Sequence, residues 1–137
     1  MRIFLAAPLS LIVLTSTFAI ANENAPHPIV GQWEWTNKNC VEKYTYRKDG
    51  TALVESGEDR NEDKYEISGT PEGNSRHRLK VTTVRDSAGK DCSGSVRDST
   101  GESATVFVEF GSSYTQMLVC LDANSYKCFG PLRRVAR

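Results

Sequence analysis

The chain has 137 residues, with 17 basic and 17 acidic side chains and a formal net charge of zero at pH 7. This balance lacks the basic excess that attracts nucleic acid or an anionic membrane surface, so we expect neither as a partner. The length suits one domain with a modest core.

The N-terminal segment has the features of a secretory signal peptide. Met1-Arg2 supplies a positive charge, residues 3–20 are mostly apolar, and Ala19-Ile20-Ala21 fits the small-x-small cleavage pattern. A retained membrane anchor is the alternative, but Pro8 and several hydroxyl residues interrupt the apolar run. We predict a cleaved signal peptide at 1–21, an N-terminal arm at 22–30 and a single domain at 31–137. The mature protein is then periplasmic or secreted, with no integral membrane segment.

Turn residues divide the rest of the chain into strands of alternating polarity. The first strand begins at Gly31 and alternates Trp33 and Trp35 with polar residues. Asp49-Gly50 is the clearest hairpin signal, and it predicts a type I′ turn. The predicted strands are 31–36, 41–48, 51–56, 64–68, 78–85, 104–110, 114–121 and 126–135, with a polar loop at 57–62.

This pattern predicts an all-β fold without a helix after the leader. An open antiparallel sheet of eight strands has two exposed edges, which an eight-stranded antiparallel up-and-down β-barrel removes. A β-sandwich is the main alternative. The residues predicted to face inward are Trp33, Trp35, Tyr44, Tyr46, Tyr65, Ile67, Leu79, Val81, Val106, Val108, Phe110, Met117, Val119, Leu121 and Phe129. Because an eight-stranded barrel is narrow, these side chains would largely fill it, and any ligand would be small.

The four cysteines all follow the predicted leader, and in an oxidising compartment they indicate two disulfides. The sequence contains no Cys-x2-Cys pair, so it does not indicate a structural zinc site. In an up-and-down barrel the connections alternate between the two ends, which would bring all four cysteines to one rim. A turn centred on Asn124 sets Cys120 opposite Cys128. The preferred pairing of the three possible is therefore Cys120 with Cys128 and Cys40 with Cys92.

The Gly31-x-Trp33 motif on the first strand and an arginine on the last strand resemble the lipocalin-like (calycin) superfamily. The resemblance implies a tryptophan that caps the closed end of the barrel, with an arginine packed over its ring. Arg133 or Arg134 would supply the cation, and strand parity favours Arg133 because it shares a face with Phe129. The superfamily consists largely of carriers of small ligands.

Bacterial periplasmic inhibitors of secreted metalloproteases are also similar, because they are small barrels in which Gly-x-Trp is soon followed by a cysteine, here Cys40. Those inhibitors insert an N-terminal trunk into the protease, and residues 22–30 would correspond to that trunk. This resemblance implies an alternative function, that of an inhibitor or immunity factor directed at a secreted hydrolase such as a protease.

The candidate ligand-binding residues are aromatic residues with polar tips, namely Trp35, Tyr44, Tyr46 and Tyr65. The first three would reach a partner near the disulfide-bearing rim, although core packing is the alternative role for each. We expect the protein to be a monomer that holds a small apolar or aromatic ligand, with an exported protein partner as the alternative.

Enzymatic chemistry finds little support in the sequence. His27 and His77 lie near no nucleophile pattern, and the cysteines are assigned to disulfides. The acidic run at 58–63 is typical of a solvated loop, and a weak calcium site is the alternative, against which Arg60 argues. We therefore predict no catalytic residue, no metal and no cofactor.

Overall fold

A computed structural model describes residues 25–69, 75–124 and 126–136. The predicted signal peptide at 1–21 lies outside these ranges. The strands are β1 (Gly31–Asn37), β2 (Cys40–Tyr46), β3 (Thr51–Ser56), β4 (Asp59–Ile67), β5 (Arg76–Asp86), β6 (Ser103–Phe110), β7 (Gln116–Cys120) and β8 (Cys128–Arg134). No helix in the described ranges has the length and apolar character to cross a membrane.

The strands form a closed antiparallel barrel in which each pairs with its neighbours in sequence. This confirms the predicted up-and-down barrel and excludes the sandwich. The seam between β1 and β8 is short: it has two registered pairs, Trp33 with Arg134 and Glu34 with Arg133, whereas β1 and β2 share seven. Closure therefore depends on few backbone contacts at the seam.

Both predicted disulfides are present. Cys40 is bonded to Cys92 with Cα atoms 5.6 Å apart, and Cys120 to Cys128 with Cα atoms 3.9 Å apart. Cys120 and Cys128 are also registered partners of β7 and β8. Because the first, fifth and seventh connections leave the barrel at the same end, both bridges lie at one end, which we call the disulfide rim. The opposite end is the plugged end.

Most of the fully buried residues lie toward the plugged end, and Cys120 at the disulfide rim is also fully buried. Fourteen of the fifteen residues predicted to face inward are buried in the hydrophobic core or packed against it. Leu121 is the exception: its side chain is 62% exposed, because β7 ends at Cys120 and the chain then leaves the sheet. Three core residues, Ile29, Ala52 and Leu132, were not among those predicted.

The start of β4 corrects the predicted loop at 57–62. Only Gly57 and Glu58 form the turn, and β4 begins at Asp59, which pairs with Ser56. Gly57 adopts a positive φ of 62°, and a Cβ there would lie 2.7 Å from the carbonyl oxygen of Lys90. The residues from Asp59 to Lys64 are polar on both faces of the strand, so they lack the alternation from which a strand is predicted.

The Asp49-Gly50 hairpin is present, but its turn is not type I′. A type I′ turn needs positive φ at both central residues, whereas Gly50 alone has one, at 80°. The Arg47 amide donates to Thr51 and the Gly50 amide donates to Arg47, which makes a longer, bulged turn. The Asp49 carboxylate accepts from the Thr51 amide and hydroxyl and stabilises this turn.

Candidate functional site

Residues 25–30 of the arm close the plugged end. Ile29 has no exposed surface, and its carbonyl accepts a 2.8 Å hydrogen bond from the indole nitrogen of Trp33, which is also fully buried. Trp33 therefore has the capping position that the lipocalin-like resemblance implied. A buried Ile29 leaves residues 25–30 folded onto their own barrel, which does not fit a free trunk for insertion into a protease.

The cation over the Trp33 ring belongs to Arg134, with its guanidinium carbon 4.2 Å from the ring centroid. The prediction of Arg133 was wrong because the pairing of β7 with β8 shifts register between Met117 and Val119, which reverses the alternation after Phe129. Gly31 fits this arrangement, because its φ is +140° and a Cβ there would collide with the Arg134 guanidinium.

Arg134 also fastens the arm. Its guanidinium donates to the carbonyl oxygens of Pro28 and Val30, the latter at 3.0 Å, and its Nε donates to Tyr114 at 2.9 Å. One side chain thus joins the last strand, the arm and the β6–β7 turn. The cation–π contact contributes about 0.5–2 kcal/mol in such settings.

A histidine pair lies beside this plug. Nε2 of His27 is 3.3 Å from Nδ1 of His77, and the Ile29 amide donates to Nδ1 of His27 at 3.1 Å. Since His27 accepts at Nδ1, its neutral form carries the proton on Nε2 and donates it to His77. Burial and the neighbouring His77 lower the pKa of His27. The sequence placed these histidines 50 positions apart and gave no sign that they meet.

The four predicted ligand-binding residues do not form one group. Tyr46 and Tyr65 lie near the plugged end, with ring centroids 5.1 Å apart in an edge-to-face arrangement. The Tyr65 hydroxyl donates to the carbonyl of Arg47 in the β2–β3 turn. These two tyrosines pack within the barrel, and Tyr46 does not reach the disulfide rim, contrary to its prediction.

Trp35 lies toward the disulfide rim. Its ring centroid is 5.3 Å from that of Phe129, on the other side of the seam. Both rings are only partly buried, although they face inward. Val81 and Val106 face the same interior and also retain exposed surface. Near the seam, the inner wall at this end therefore presents partly exposed aromatic side chains.

Tyr44 connects this interior to the disulfide. Its hydroxyl donates to Glu42, the second Glu42 oxygen accepts from Ser56 at 2.9 Å, and the Cys92 amide donates to the Ser56 hydroxyl at 3.0 Å. Burial and the hydrogen bond to Glu42 raise the pKa of Tyr44. Glu42 was missed as a site residue, although its even position in β2, in step with Tyr44 and Tyr46, indicates that it faces inward.

The long β5–β6 loop is held by two aspartates of the barrel. Asp59 accepts from the Ser87 hydroxyl and the Gly89 amide, at 2.9 and 3.1 Å. Asp86 accepts from the Ala88 amide and from the amide and hydroxyl of Ser99, bonds that lower its pKa to about 2. These carboxylates bind their own loop.

The acidic run 58–63 is not a loop from which oxygens converge. From Asp59 onward it is strand, so its side chains alternate between the two faces, and Asp63 is 5% exposed. Burial raises the pKa of Asp63, against a smaller opposing effect of the Thr83 hydroxyl. In the described ranges no three His, Cys, Asp or Glu side chains come together as a metal-binding group.

The disulfide rim also presents apolar side chains to solvent. They are Val41 beside Cys40, Val96 in the β5–β6 loop, and Leu121 and Tyr126 in the β7–β8 turn, with exposed fractions of 42, 67, 62 and 99%. One disulfide joins the β1–β2 turn to the β5–β6 loop, and the other closes the β7–β8 turn.

A cleft of about 920 Å³ lies on the outside of the plugged end, between the arm, the β2–β3 turn and the end of β8. Its basic lining residues are His27, Arg47, Lys48 and Arg134. The partly exposed inward-facing residues Trp35 and Phe129 are not among its lining residues, and Arg134 is already engaged with the arm. The chain matches no protein-family model, no curated protein sequence and no solved structure.

Proposed function

We propose that this protein is a non-enzymatic binding protein of lipocalin-like type that holds a small apolar or aromatic ligand at the mouth formed by the disulfide rim. The observation that carries this proposal is the difference between the two ends. Ile29 and Trp33 are fully buried at the plugged end, whereas the inward-facing Trp35 and Phe129 retain exposed surface. Accessible aromatic rings inside a concave wall are typical of small-ligand sites.

Disulfides in the structure are compatible with an oxidising, exported environment, and we propose a periplasmic or secreted location. The bridge from Cys40 to Cys92 holds the β5–β6 loop beside the mouth. A mouth that is already shaped costs little to order when a ligand binds.

The test is a titration of the purified protein, with both disulfides formed, with the neutral fluorescent probe N-phenyl-1-naphthylamine. Native mass spectrometry of the same material would detect any molecule that copurifies. We expect probe fluorescence to rise on binding and Trp35→Ala to weaken binding at least about tenfold, or about 1.4 kcal/mol. Phe129→Leu, a milder change in the same wall, should weaken it less.

Val41→Ala is the matched control, because Val41 is an apolar residue of the same rim but faces outward. Circular dichroism would establish that each variant folds. The proposal fails if the wild-type protein binds no probe and carries no small molecule, or if Val41→Ala weakens binding as much as Trp35→Ala does.

A protein-binding role is the second candidate, favoured by the exposed apolar residues of the disulfide rim. We propose that an inhibitor or immunity factor of this kind would use Leu121 and Tyr126, which lie on a turn closed by a disulfide. The expected result is stoichiometric inhibition of a secreted protease, lost in the double variant Leu121→Ser/Tyr126→Ser. Inhibition that persists in this variant would contradict the role of the rim.

A further inference from the structure

The barrel interior has more acidic than basic side chains. By strand alternation, four carboxylates of the described strands face inward: Glu42, Asp59, Asp63 and Asp86. Arg134 is the one arginine of these strands that faces inward. Its guanidinium lies over Trp33 and donates to the arm at the plugged end. No inward-facing lysine accompanies it in the described strands.

The ion pairs of the described residues do not offset this acidic excess. They are Arg60–Glu55, Arg76–Glu109, Arg85–Glu62 and Arg97–Glu102. The carboxylates in these pairs belong to outward-facing strand positions or to the β5–β6 loop. The four inward-facing carboxylates take part in none of these ion pairs.

Three of the inward carboxylates are satisfied by hydrogen bonds instead. Glu42 accepts from Tyr44 and Ser56, and Asp59 and Asp86 accept from the β5–β6 loop. Asp63 differs from them. It is 5% exposed, and within the described residues its Oδ1 atom is buried without any hydrogen-bond partner.

The surroundings of Asp63 favour a cation. Asp63 is registered with Ala52 on one side and Thr83 on the other, and Thr83 retains some exposed surface. Burial raises the pKa of the nearby Tyr46 phenol, and the charge of Asp63 adds to this effect. A buried carboxylate oxygen without a donor is costly, and an ammonium group would satisfy both its charge and its hydrogen bond. The aromatic faces of Tyr46 and Tyr65 are also favourable neighbours for a cation.

We infer that the ligand of this barrel is a small organic cation, a primary amine whose ammonium group donates to Oδ1 of Asp63. Its carbon skeleton would extend toward the apolar wall at Trp35 and Phe129. The inference rests on the proposed function and adds the chemical class of the ligand. Recognition is non-covalent and consumes no cofactor.

The experiment compares three probes that share one ring and differ in charge: 2-phenylethylamine, its neutral N-acetyl derivative and the anion 3-phenylpropanoate. Isothermal titration calorimetry at pH 7.5 gives an affinity for each. We expect the amine to bind at least about tenfold more tightly than the other two, as a charged hydrogen bond in a buried site would give.

Asp63→Asn preserves the shape of the side chain and removes its charge, so it should reduce the preference for the amine to within about threefold. Glu66→Gln is the matched control, because Glu66 is an exposed, outward-facing acid of the same strand. It should keep the wild-type preference. If Asp63→Asn does not fold, the comparison of the three probes on the wild-type protein still decides whether the ligand is a cation.

Three results would overturn the inference while leaving the proposed function intact. The first is a neutral probe that binds as tightly as the amine. The second is an amine preference that persists in Asp63→Asn. The third is binding of N-phenyl-1-naphthylamine without any binding of 2-phenylethylamine. If no probe of either experiment binds and no small molecule copurifies, the proposed function fails together with the inference.

Discussion

Arg134 is the single side chain with the most varied contacts at the plugged end. A lysine in its place would keep the charge but lose the planar guanidinium that covers Trp33 and donates in three directions. We expect Arg134→Lys to lower the free energy of unfolding by about 1–3 kcal/mol, measured by urea denaturation. Arg133→Lys, at the exposed neighbouring position, should change it by no more than about 0.5 kcal/mol. Equal effects of the two variants would contradict the role assigned to Arg134.

The choice between Arg133 and Arg134 shows what alternation along one strand can and cannot predict. The Gly31-x-Trp33 motif correctly indicated the capping tryptophan, because that motif is local. The cation on the tryptophan depended on the register between β7 and β8, which shifts between Met117 and Val119. A register shift is a property of two strands together, and a single strand's pattern carries little trace of it.

At the scale of elements, the arm is the part whose stability should depend most on mild acid. His27 accepts from the Ile29 amide, and the groups around it are His77, Lys48 and Arg134, none of which offers a negative charge. A proton on Nδ1 of His27 would break the bond to Ile29.

Burial and His77 lower the pKa of His27 in the folded protein from its usual 6.5, so the unfolded chain binds the proton first. The contribution of His27 to stability is therefore fully present above pH 6.5 and declines as the pH falls below it. We expect chemical denaturation of the wild-type protein to show this decline between pH 7.5 and 5.

His27→Gln keeps an acceptor without a titrating group, and it should flatten that pH dependence. Tryptophan fluorescence, to which Trp33 and Trp35 both contribute, would report whether the plug loosens in the same range. A pH dependence that is the same in the wild-type protein and in His27→Gln would show that His27 is not the responsible group.

The strands differed in how well the sequence predicted them. β1 and β6 alternate large apolar residues with polar ones, and their predicted bounds agree with the structure to within one residue. The first half of β4 has polar residues on both faces, because Asp59 and Asn61 face a polar part of the interior beside the β5–β6 loop. A run of polar residues normally indicates a loop, but in β4 it reflects an interior that contains acidic side chains. This same feature concealed Asp63, which carries the inferred ligand contact.

At the scale of the whole molecule, the two disulfides should contribute unequally to stability. They close segments with sequence separations of 52 and 8 residues. A chain-entropy model gives about 4 kcal/mol for the longer segment and about 2.5 kcal/mol for the shorter. We expect Cys40→Ser/Cys92→Ser to lower the urea midpoint more than Cys120→Ser/Cys128→Ser does. The reverse order would show that native-state contacts outweigh loop closure.

The short seam between β1 and β8 has a consequence for how the barrel folds. The seam pairs Trp33 with Arg134, near the two ends of the described chain. β1 is therefore synthesised long before β8, the strand that covers its free edge. Chain synthesis proceeds from the N-terminus, and a contact between such distant residues has a large loop-closure entropy. Seam closure is therefore a late kinetic step, and until it occurs the nascent sheet has an open edge that is exposed to pairing with other chains.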